Sequence, residues 1–257
     1  MSLPSSPSEN RLLAALPAAE LAAVTAKLEV VSMPLGKPLY QPGEKLKHAY
    51  FPITAIVSMH YVMASGASAE IAAVGNEGMI GVALVLGGDT TTSSAVVRTA
   101  GHGFRMSEDV LKQEFSRGSI WRSILLRYIL SLIAQMSLNV ACNRHHSIDQ
   151  QLCRWLLSTL DRGASSDLVV TQELIASTLG VRREGVTDAA GKLQRAGLIY
   201  YRRGHISVLD KVGLEARACE CYAVVKTEME RMLIDLRNHQ SKHDAQPTRT
   251  TQSGRDR

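Results

Sequence analysis

Residues 171–199 read TQELIASTLGVRREGVTDAAGKLQRAGLI, and their spacing is that of a helix-turn-helix. This motif needs a small residue where its two helices touch and, four positions later, a residue that adopts a left-handed turn. Ala176 and Gly180 stand at these two positions. Apolar residues surround them and line the inner side of the second helix: Ile175, Leu179, Val181, Val186 and Ala189. The stretch therefore predicts two short helices joined by a turn at Gly180.

The outer side of the second predicted helix is polar near its N-terminal end. This is the end that a recognition helix presents to the base edges of DNA. We expect DNA to contact this side, the start of the preceding helix and the hairpin that follows. The residues predicted to contact DNA are Thr171, Gln172, Arg182, Arg183, Glu184, Thr187, Asp188, Arg202 and Arg203.

A β-hairpin, or wing, is predicted directly after the second helix. Gly197 is suited to cap that helix, and residues 198–209, LIYYRRGHISVL, alternate on both sides of a turn at Gly204. Residues 171–209 contain six Lys or Arg and three acids, so this segment has a net charge of +3 that suits phosphate. The alternative is a helical hairpin used for protein contact. The chain would then be a dimeric sensor or interaction module whose winged domain binds protein.

The composition is that of an ordinary globular protein, with 45% hydrophobic and 21% charged residues in 257. This length permits two modest domains that each bury a core. The net charge of +5 permits a polyanionic partner, whereas an aromatic content of 5% argues against stacking platforms for single-stranded nucleic acid. All four cysteines lie in the second half of the chain, and they do not indicate a disulfide framework.

The first half of the chain has the pattern of a β-structure. Residues 29–104 consist of short β-branched runs separated by turn signals, such as KPLY before QPGE and AIVSMHYVM before ASGAS. Strands at this spacing predict a compact antiparallel roll or barrel. A helical pattern precedes them over residues 11–28. Together with the helices further on, this predicts an α+β fold.

A long helix without internal glycine or proline is predicted over residues 119–143, and two apolar lines run along it. The first line has the 4-3-4 spacing of a coiled-coil seam and consists of Leu125, Ile129, Leu132 and Met136. The second line consists of Leu126, Leu130, Ile133 and Val140. One face can therefore pack on its own domain while the other meets a partner helix. We assign the first line to a dimer interface; a single buried core helix is the alternative.

The apolar stretch of this helix does not have the pattern of a membrane span. Polar residues interrupt it at Arg122, Arg127, Gln135 and Asn139. The first ten residues lack a basic region followed by an apolar stretch, so we expect no signal peptide. A cytoplasmic protein without a membrane partner is the interpretation.

On these motifs the chain resembles the cyclic-AMP receptor protein and FNR (Crp/Fnr) family of bacterial transcription regulators. The resemblance covers about residues 12–209. Its most specific pieces are VRREGVTDAAGKLQRAGLI, which resembles the family's recognition helix and wing entry, and VGNEGMIGVALVLGG, which resembles the phosphate-cassette segment of the family's β-roll. It implies a homodimer that binds a pseudo-palindrome in double-stranded DNA, with recognition helices about 34 Å apart. RNA polymerase is an implied partner if the protein is an activator. The resemblance also implies that Arg183 and Glu184 read bases, whereas Asp188 stands where the family commonly has a basic residue.

The resemblance further implies a nucleotide pocket, with a glutamate after the cassette glycine and an arginine before a Ser/Thr-Ala pair. Here Gly81 is followed by Val82, and the pair Ser94 and Ala95 is preceded by Ser93. Both charged contacts are missing. We therefore expect a cyclic-nucleotide-binding-like roll that does not respond to cyclic AMP. An unknown small-molecule effector remains a possible partner, and no cofactor is expected.

Cysteine and histidine come close together in the sequence only near the end of the long helix. Cys142, His145 and His146 suit one helix face, but a second ligand pair at matching spacing is not evident, so a polar hinge is favoured. Cys219 and Cys221 are two residues apart, which on a helix turns their side chains away from each other. We predict no metal site. Because cysteine is absent before Cys142, the N-terminal iron–sulfur centre of the family's oxygen sensors is excluded.

Catalysis is not indicated by any motif. The chain has no nucleophile elbow, P-loop or His-Glu-x-x-His pattern, so we predict no catalytic residue and no enzyme. The predicted domains are a β-roll sensor domain over residues 11–118 and a dimerisation helix with its hinge over 119–146. A winged helix-turn-helix domain over 147–210 and a C-terminal helix with a disordered tail over 211–257 follow.

Overall fold

The computed structural model describes residues 6–118, 120–162 and 167–244. Within these ranges the chain forms a β-roll, a long helix and a winged helix-turn-helix, which confirms the predicted α+β fold class. Ser119 and Gly163, both at expected helix ends, lie outside the described residues. So do residues 245–257, which include most of the tail that we expected to be disordered.

The roll consists of two antiparallel sheets, with strand orders β1-β7-β3 and β2-β6-β4-β5. Helix α1 (Ala18–Thr25) precedes them. The strands are β1 (Glu29–Met33), β2 (Pro38–Tyr40), β3 (His48–Pro52), β4 (Ile56–Val62), β5 (Ser68–Val74), β6 (Ser94–Thr99) and β7 (Gly101–Ser107).

The sheets enclose one continuous apolar core. Phe51 of β3, Met59 of β4 and Phe104 of β7 are buried in it. Gly103 pairs with Pro52, and a Cβ at Gly103 would lie 2.4 Å from the carbonyl oxygen of Phe51. Because a side chain cannot fit at that distance, the pairing of β3 with β7 requires glycine at this position.

Helix α2 (Glu108–Ser116) leads into the long helix α3 (Ile120–His145), which packs against the roll. By length and composition alone α3 is apolar enough to cross a membrane, but 44% of its most apolar window is buried inside the protein. Tyr128 Oη donates to the carbonyl of Met79 at 2.8 Å, and Asn139 Nδ2 donates to that of Ile71 at 2.9 Å. Helix α3 is therefore a core element of the roll domain.

The roll covers the line of α3 that we assigned to a partner helix. Leu125, Ile129 and Leu132 are only 0%, 7% and 4% exposed, because they pack into the core of their own domain. Met136 is half-buried against the same core. This face therefore offers no surface to a partner, and its assignment to a dimer interface is corrected. The exposed apolar line is the second one: Leu126, Leu130, Ile133 and Val140.

The C-terminal domain has a core of its own around a three-stranded sheet of order β8-β10-β9, where Leu156, Ile175 and Ile206 are buried. Its elements are α4 (Ile148–Asp161), β8 (Asp167–Val169), α5 (Gln172–Leu179), α6 (Arg183–Arg195), β9 (Ile199–Arg202), β10 (His205–Val208) and α7 (Lys211–Arg217). A capping box begins α4. Ser147 Oγ accepts from the amide of Gln150, whose side chain accepts from the amide of Ser147.

The helix expected over residues 212–236 is interrupted. Helix α7 ends at Arg217, and helix α8 (Cys221–Asp244) begins after a short break that contains Cys219. Helix α8 packs along α3, and Met232 is buried in the core of the roll. Helix α8 therefore leads from the C-terminal domain back to the roll.

Candidate nucleic-acid interface

Helices α5 and α6 form a helix-turn-helix with the turn where the spacing indicates it. Thr171 caps α5, because its Oγ1 accepts a hydrogen bond from the amide of Leu174 at 3.1 Å. Gly180 ends α5 in the left-handed conformation, with φ of 66°, which glycine adopts without steric cost. The amide of Val181 then donates to the carbonyl of Ala176 at 3.0 Å. This hydrogen bond fixes the turn at the small residue.

Helix α6 buries one side and exposes the other. Val186, Ala189 and Leu193 are buried in the domain core. The exposed side carries four of the residues predicted to contact DNA: Arg183, Glu184, Thr187 and Asp188. The first amides of a helix have no partner within the helix and favour an anion such as phosphate. The N-terminal half of α6 is therefore suited to lie against a nucleic acid.

Two of the predicted contact residues bind each other across the motif. Thr187 Oγ1 lies 3.0 Å from Gln172 Oε1 and 3.1 Å from the carbonyl oxygen of Arg183. Gln172 is the first residue of α5, so this contact joins the start of α5 to the exposed side of α6.

Asp188 is paired with a lysine one turn further along α6. Its Oδ2 lies 2.8 Å from Lys192 Nζ, which also lies 3.2 Å from a carboxylate oxygen of Asp149 in α4. The hydrogen bond from Lys192 holds the pKa of Asp188 below its usual range. Asp188 is therefore a negative charge that Lys192 partly compensates, at a position facing away from the core.

The hairpin of β9 and β10 carries the two predicted wing arginines at its tip. Arg202 pairs with His205, and the two residues between them are both left-handed: Arg203 has φ of 47° and Gly204 has φ of 81°. This is the geometry of a two-residue type I′ turn. Arg202 and Arg203 are exposed, so their guanidinium groups are accessible to phosphate.

Comparison with known proteins identifies the same helix-turn-helix domain. A family profile described as a Crp-like helix-turn-helix domain matches residues 150–217. The global nitrogen regulator of Synechococcus elongatus is 23% identical over 215 residues, which are 80% of this chain and 96% of that protein. Residues 150–217 are therefore similar to the helix-turn-helix domain of Crp-like proteins, as the sequence motifs predicted.

Solved structures agree with this resemblance at the level of the fold. A CRP-family transcriptional regulator from Thermus thermophilus has a TM-score of 0.61 at 18% identity, covering 73% of this chain and 96% of that one. The c-di-GMP-responsive global regulator of Xanthomonas campestris has a TM-score of 0.59 at 18% identity, covering 75% of this chain and 99% of that one. These similarities confirm the predicted fold.

The cassette-like segment, VGNEGMIGVALVLGG, lies against α3. Gly81 has φ of 99° and precedes a 3-10 turn at Val82–Val85. Tyr128 of α3 covers the residues just before it: its hydroxyl donates to the carbonyl of Met79, and a Cβ at Gly78 would lie 2.3 Å from its ring. An aromatic side chain therefore fills the space between this segment and the long helix.

The sequence analysis did not find the charged residues that join the roll to the helix-turn-helix domain. Arg162, which follows α4, donates from Nε to Glu77 Oε1 at 2.8 Å and from Nη2 to the carbonyl of Ala73 at 3.0 Å. The side chains of Arg162 and Glu77 are only 9% and 6% exposed. Because the two residues are 85 positions apart, periodicity and local motifs carry no signal of this pair.

Three cysteines and a histidine, which we expected not to form a metal site, meet beside the end of α3. Cys142 Sγ lies 3.5 Å from Cys219 Sγ, and Cys221 Sγ lies 3.7 Å from His146 Nδ1. The expectation that Cys219 and Cys221 face apart assumed a continuous helix, and the break between α7 and α8 makes it wrong. A hydrogen bond from the Cys142 thiol lowers the pKa of Cys219 to about 5.

Proposed function

We propose that this chain is a homodimeric, sequence-specific regulator that binds a pseudo-palindromic operator in double-stranded DNA. The observation that carries the proposal is the exposed N-terminal half of α6, with Arg183 and Glu184 in its first turn. An arginine at this position can make a bidentate contact to guanine O6 and N7, and Glu184 can accept from cytosine N4. The exposed wing residues Arg202 and Arg203 are suited to phosphate.

The remaining contacts of the proposed interface position the motif on the duplex. Arg182 is exposed directly before α6, where its charge suits phosphate. Thr171 and Gln172 at the start of α5 lie next to the recognition helix, as the Gln172–Thr187 contact requires. We assign to these residues the backbone contacts that set register and orientation, which carry no sequence information directly.

A second copy of the chain is the proposed occupant of the exposed line on α3. Leu130, Ile133 and Val140 are 62%, 53% and 72% exposed, an unfavourable state for side chains of this size. Together with Ser123 and Ser137, this line keeps an alternating spacing of three and four residues, which is the seam of a two-stranded coiled coil. Two-fold symmetry about α3 would present two α6 helices to successive major grooves.

We propose a separate role for each segment of the chain. Residues 11–118 are the sensor domain, 119–146 the dimer helix and hinge, 147–210 the DNA-binding domain, and 211–257 the C-terminal helix with its tail. We propose that cyclic AMP is not the effector, because Val82 and Ser93 stand where the family contacts need charge and Tyr128 fills the adjoining space. Either a different small molecule binds the roll, or the roll has no effector.

We propose that the protein acts in the cytoplasm, without a membrane partner, and meets RNA polymerase there if it is an activator. The test of the function is selection of bound sites from random DNA by the full-length protein. The expected product is an inverted repeat whose half-sites are about 10 base pairs apart, centre to centre. If no repeat is enriched and retention on heparin does not depend on salt, the alternative of a winged domain that binds protein is favoured.

A further inference from the structure

The cluster of Cys142, His146, Cys219 and Cys221 lies where the sensor and DNA-binding domains are joined. Cys142 and His146 are at the end of α3 and in the hinge that follows it, whereas Cys219 lies in the break before α8 and Cys221 is the first residue of α8. The three cysteines are buried and the histidine is half-buried. Their ligand atoms all lie within 4.8 Å of one another. We propose that these four side chains form a mononuclear, tetrahedral metal site that binds Zn²⁺.

The distances fit one ion. With Zn–S bonds of about 2.3 Å and a Zn–N bond of about 2.1 Å, a tetrahedron has S–S edges of about 3.8 Å and S–N edges of about 3.6 Å. The Cys142–Cys219 sulfur distance is 3.5 Å, and the distance from Cys221 Sγ to His146 Nδ1 is 3.7 Å. An iron–sulfur cluster would separate its ligands by the width of a polynuclear core. This spacing therefore favours a single ion.

The ligand types agree with zinc. Three thiolates and one imidazole are a donor set of structural zinc sites, in which protein ligands occupy all four positions. Soft sulfur ligands do not suit Mg²⁺ or Ca²⁺, which take oxygen. Since four protein ligands leave no open position for a substrate, the chemistry of this site is structural.

Residues around the cluster orient the histidine ligand. Glu220 lies 3.2 Å from His146 Nε2, so the ring can donate to this carboxylate from Nε2 and keep Nδ1 free for the ion. A carboxylate on the far nitrogen of a ligating histidine fixes its tautomer and raises its basicity. Gln151 Nε2 donates to the carbonyl of His146 at 2.9 Å and fixes the hinge backbone. The histidine is thus held in the orientation that a ligand needs.

Charge around the cluster also suits a bound metal. Three thiolates exceed the charge of one Zn²⁺ by one negative unit. The positive charge of Arg154, on α4, acts on the sulfurs of Cys142 and Cys219 and compensates this excess. Arg154 is itself held by Asn139 of α3, whose Oδ1 lies 2.6 Å from Nη1. An ion at this point would join the end of α3 to the start of α8 and so stiffen the hinge.

The first test is the metal content of the full-length protein, purified under reducing, anaerobic conditions. Elemental analysis should give about one zinc ion per chain. After zinc is removed with a chelator, Co²⁺ should restore occupancy and show the intense visible bands of a tetrahedral thiolate complex together with sulfur-to-cobalt charge transfer. Zinc should also raise the thermal midpoint of the metal-free protein, because an ion that binds only the folded state stabilises it.

Variants separate this site from nonspecific thiol binding. Cys142→Ser and Cys221→Ser should each abolish the stoichiometric ion, whereas Glu220→Gln should weaken zinc affinity about 10–100-fold and leave the cobalt spectrum tetrahedral. The matched controls are Cys153→Ser, which changes the buried cysteine in the core of the DNA-binding domain, and His145→Asn, which changes an exposed neighbour of His146. Both controls should retain one zinc ion per chain.

Three results would overturn the proposal. The first is wild-type protein that carries no zinc and gives no tetrahedral cobalt spectrum, a measurement that does not depend on variants folding. The second is equal loss of metal in Cys153→Ser and Cys142→Ser, which would indicate nonspecific thiol binding. The third is a Cys142–Cys219 disulfide, seen by intact mass in metal-free protein prepared without oxidant, since bonded sulfurs cannot act as thiolate ligands.

Discussion

Arg98 of the roll donates a hydrogen bond from Nη2 to Oγ1 of Thr159 in α4 at 3.1 Å, so the roll extends a charged side chain into the helix-turn-helix domain. Its Nη1 pairs with Glu70 of β5 at 3.0 Å, and its guanidinium lies 4.9 Å from the ring centroid of Trp155. The Arg98 side chain is only 3% exposed. With the pair of Arg162 and Glu77, this contact ties the position of α4 to β5.

Removal of Arg98 should therefore cost more than the loss of a surface ion pair. Arg98→Met leaves the Glu70 carboxylate buried without its cation, and we expect the free energy of unfolding to fall by about 3–5 kcal/mol. Arg98→Met combined with Glu70→Met removes both charges and should recover most of this loss. Urea denaturation monitored by tryptophan fluorescence measures both. A double variant as unstable as Arg98→Met alone would contradict the explanation.

The dimer interface should depend on Leu130. A glutamate at this exposed position puts two charges into the proposed seam and removes an apolar contact worth about 1.5–3 kcal/mol per side chain. Leu130→Glu should thus be a folded monomer in sedimentation velocity, with wild-type far-UV circular dichroism. The control is Leu132→Glu, which places a charge in the core of the roll and should lose secondary structure. A monomeric wild type, or a dimeric Leu130→Glu, would refute this interface.

The sequence predicted the helix-turn-helix and the roll because their signals are local. The Ala176 to Gly180 spacing and the turn at Gly204 each depend on neighbouring residues. The sequence did not distinguish the two faces of α3, because the lines through Leu130 and Leu132 share one periodicity and only packing on the roll tells them apart. Contacts across long separations, such as Cys142 with Cys219, depend on how α8 returns, which no local pattern reports.

Cyclic AMP should leave DNA binding unchanged. A ligand shifts affinity only through a difference in its contacts with the two states, and here Val82 and Ser93 offer no charge to the ribose or the phosphate. Anisotropy titrations of an operator duplex should give the same Kd with and without the nucleotide, and calorimetry should show no saturable heat. Micromolar binding of cyclic AMP would contradict the prediction.

Arg183 and the wing arginines should fail in different ways. Arg183→Ala should cost about 1–3 kcal/mol on the selected operator and relax preference at one base pair per half-site, because it removes a bidentate base contact. Arg202→Ala should weaken binding to all sequences alike and lower the salt slope by about one unit for each phosphate that is no longer neutralised. Anisotropy over a salt series on specific and random duplexes measures both. A uniform loss for Arg183→Ala would mean that α6 is not the reading helix.

Asp188 tests how far the proposed recognition helix departs from the family that it resembles. Its carboxylate can accept from cytosine N4, but it cannot donate to guanine as a basic residue would. It also pairs with Lys192 at 2.8 Å, so a change at Asp188 removes one of the two carboxylates that bind this lysine and leaves Asp149 as the other. Asp188→Arg should therefore change the preferred base at an outer position of the half-site while the bases read by Arg183 and Glu184 stay the same.

The matched control is Asp188→Asn, which removes the charge and leaves Lys192 paired with Asp149 alone, without adding an arginine fork. This control should raise affinity for all sequences, since one repulsion from phosphate is removed, and leave the order of base preference at the other positions unchanged. Anisotropy on a panel of single-base operator variants separates the two effects. If Asp188→Arg and Asp188→Asn give the same profile, the new preference comes from loss of the Asp188 charge and not from a new base contact. In that case α6 does not bring position 188 to the base edges.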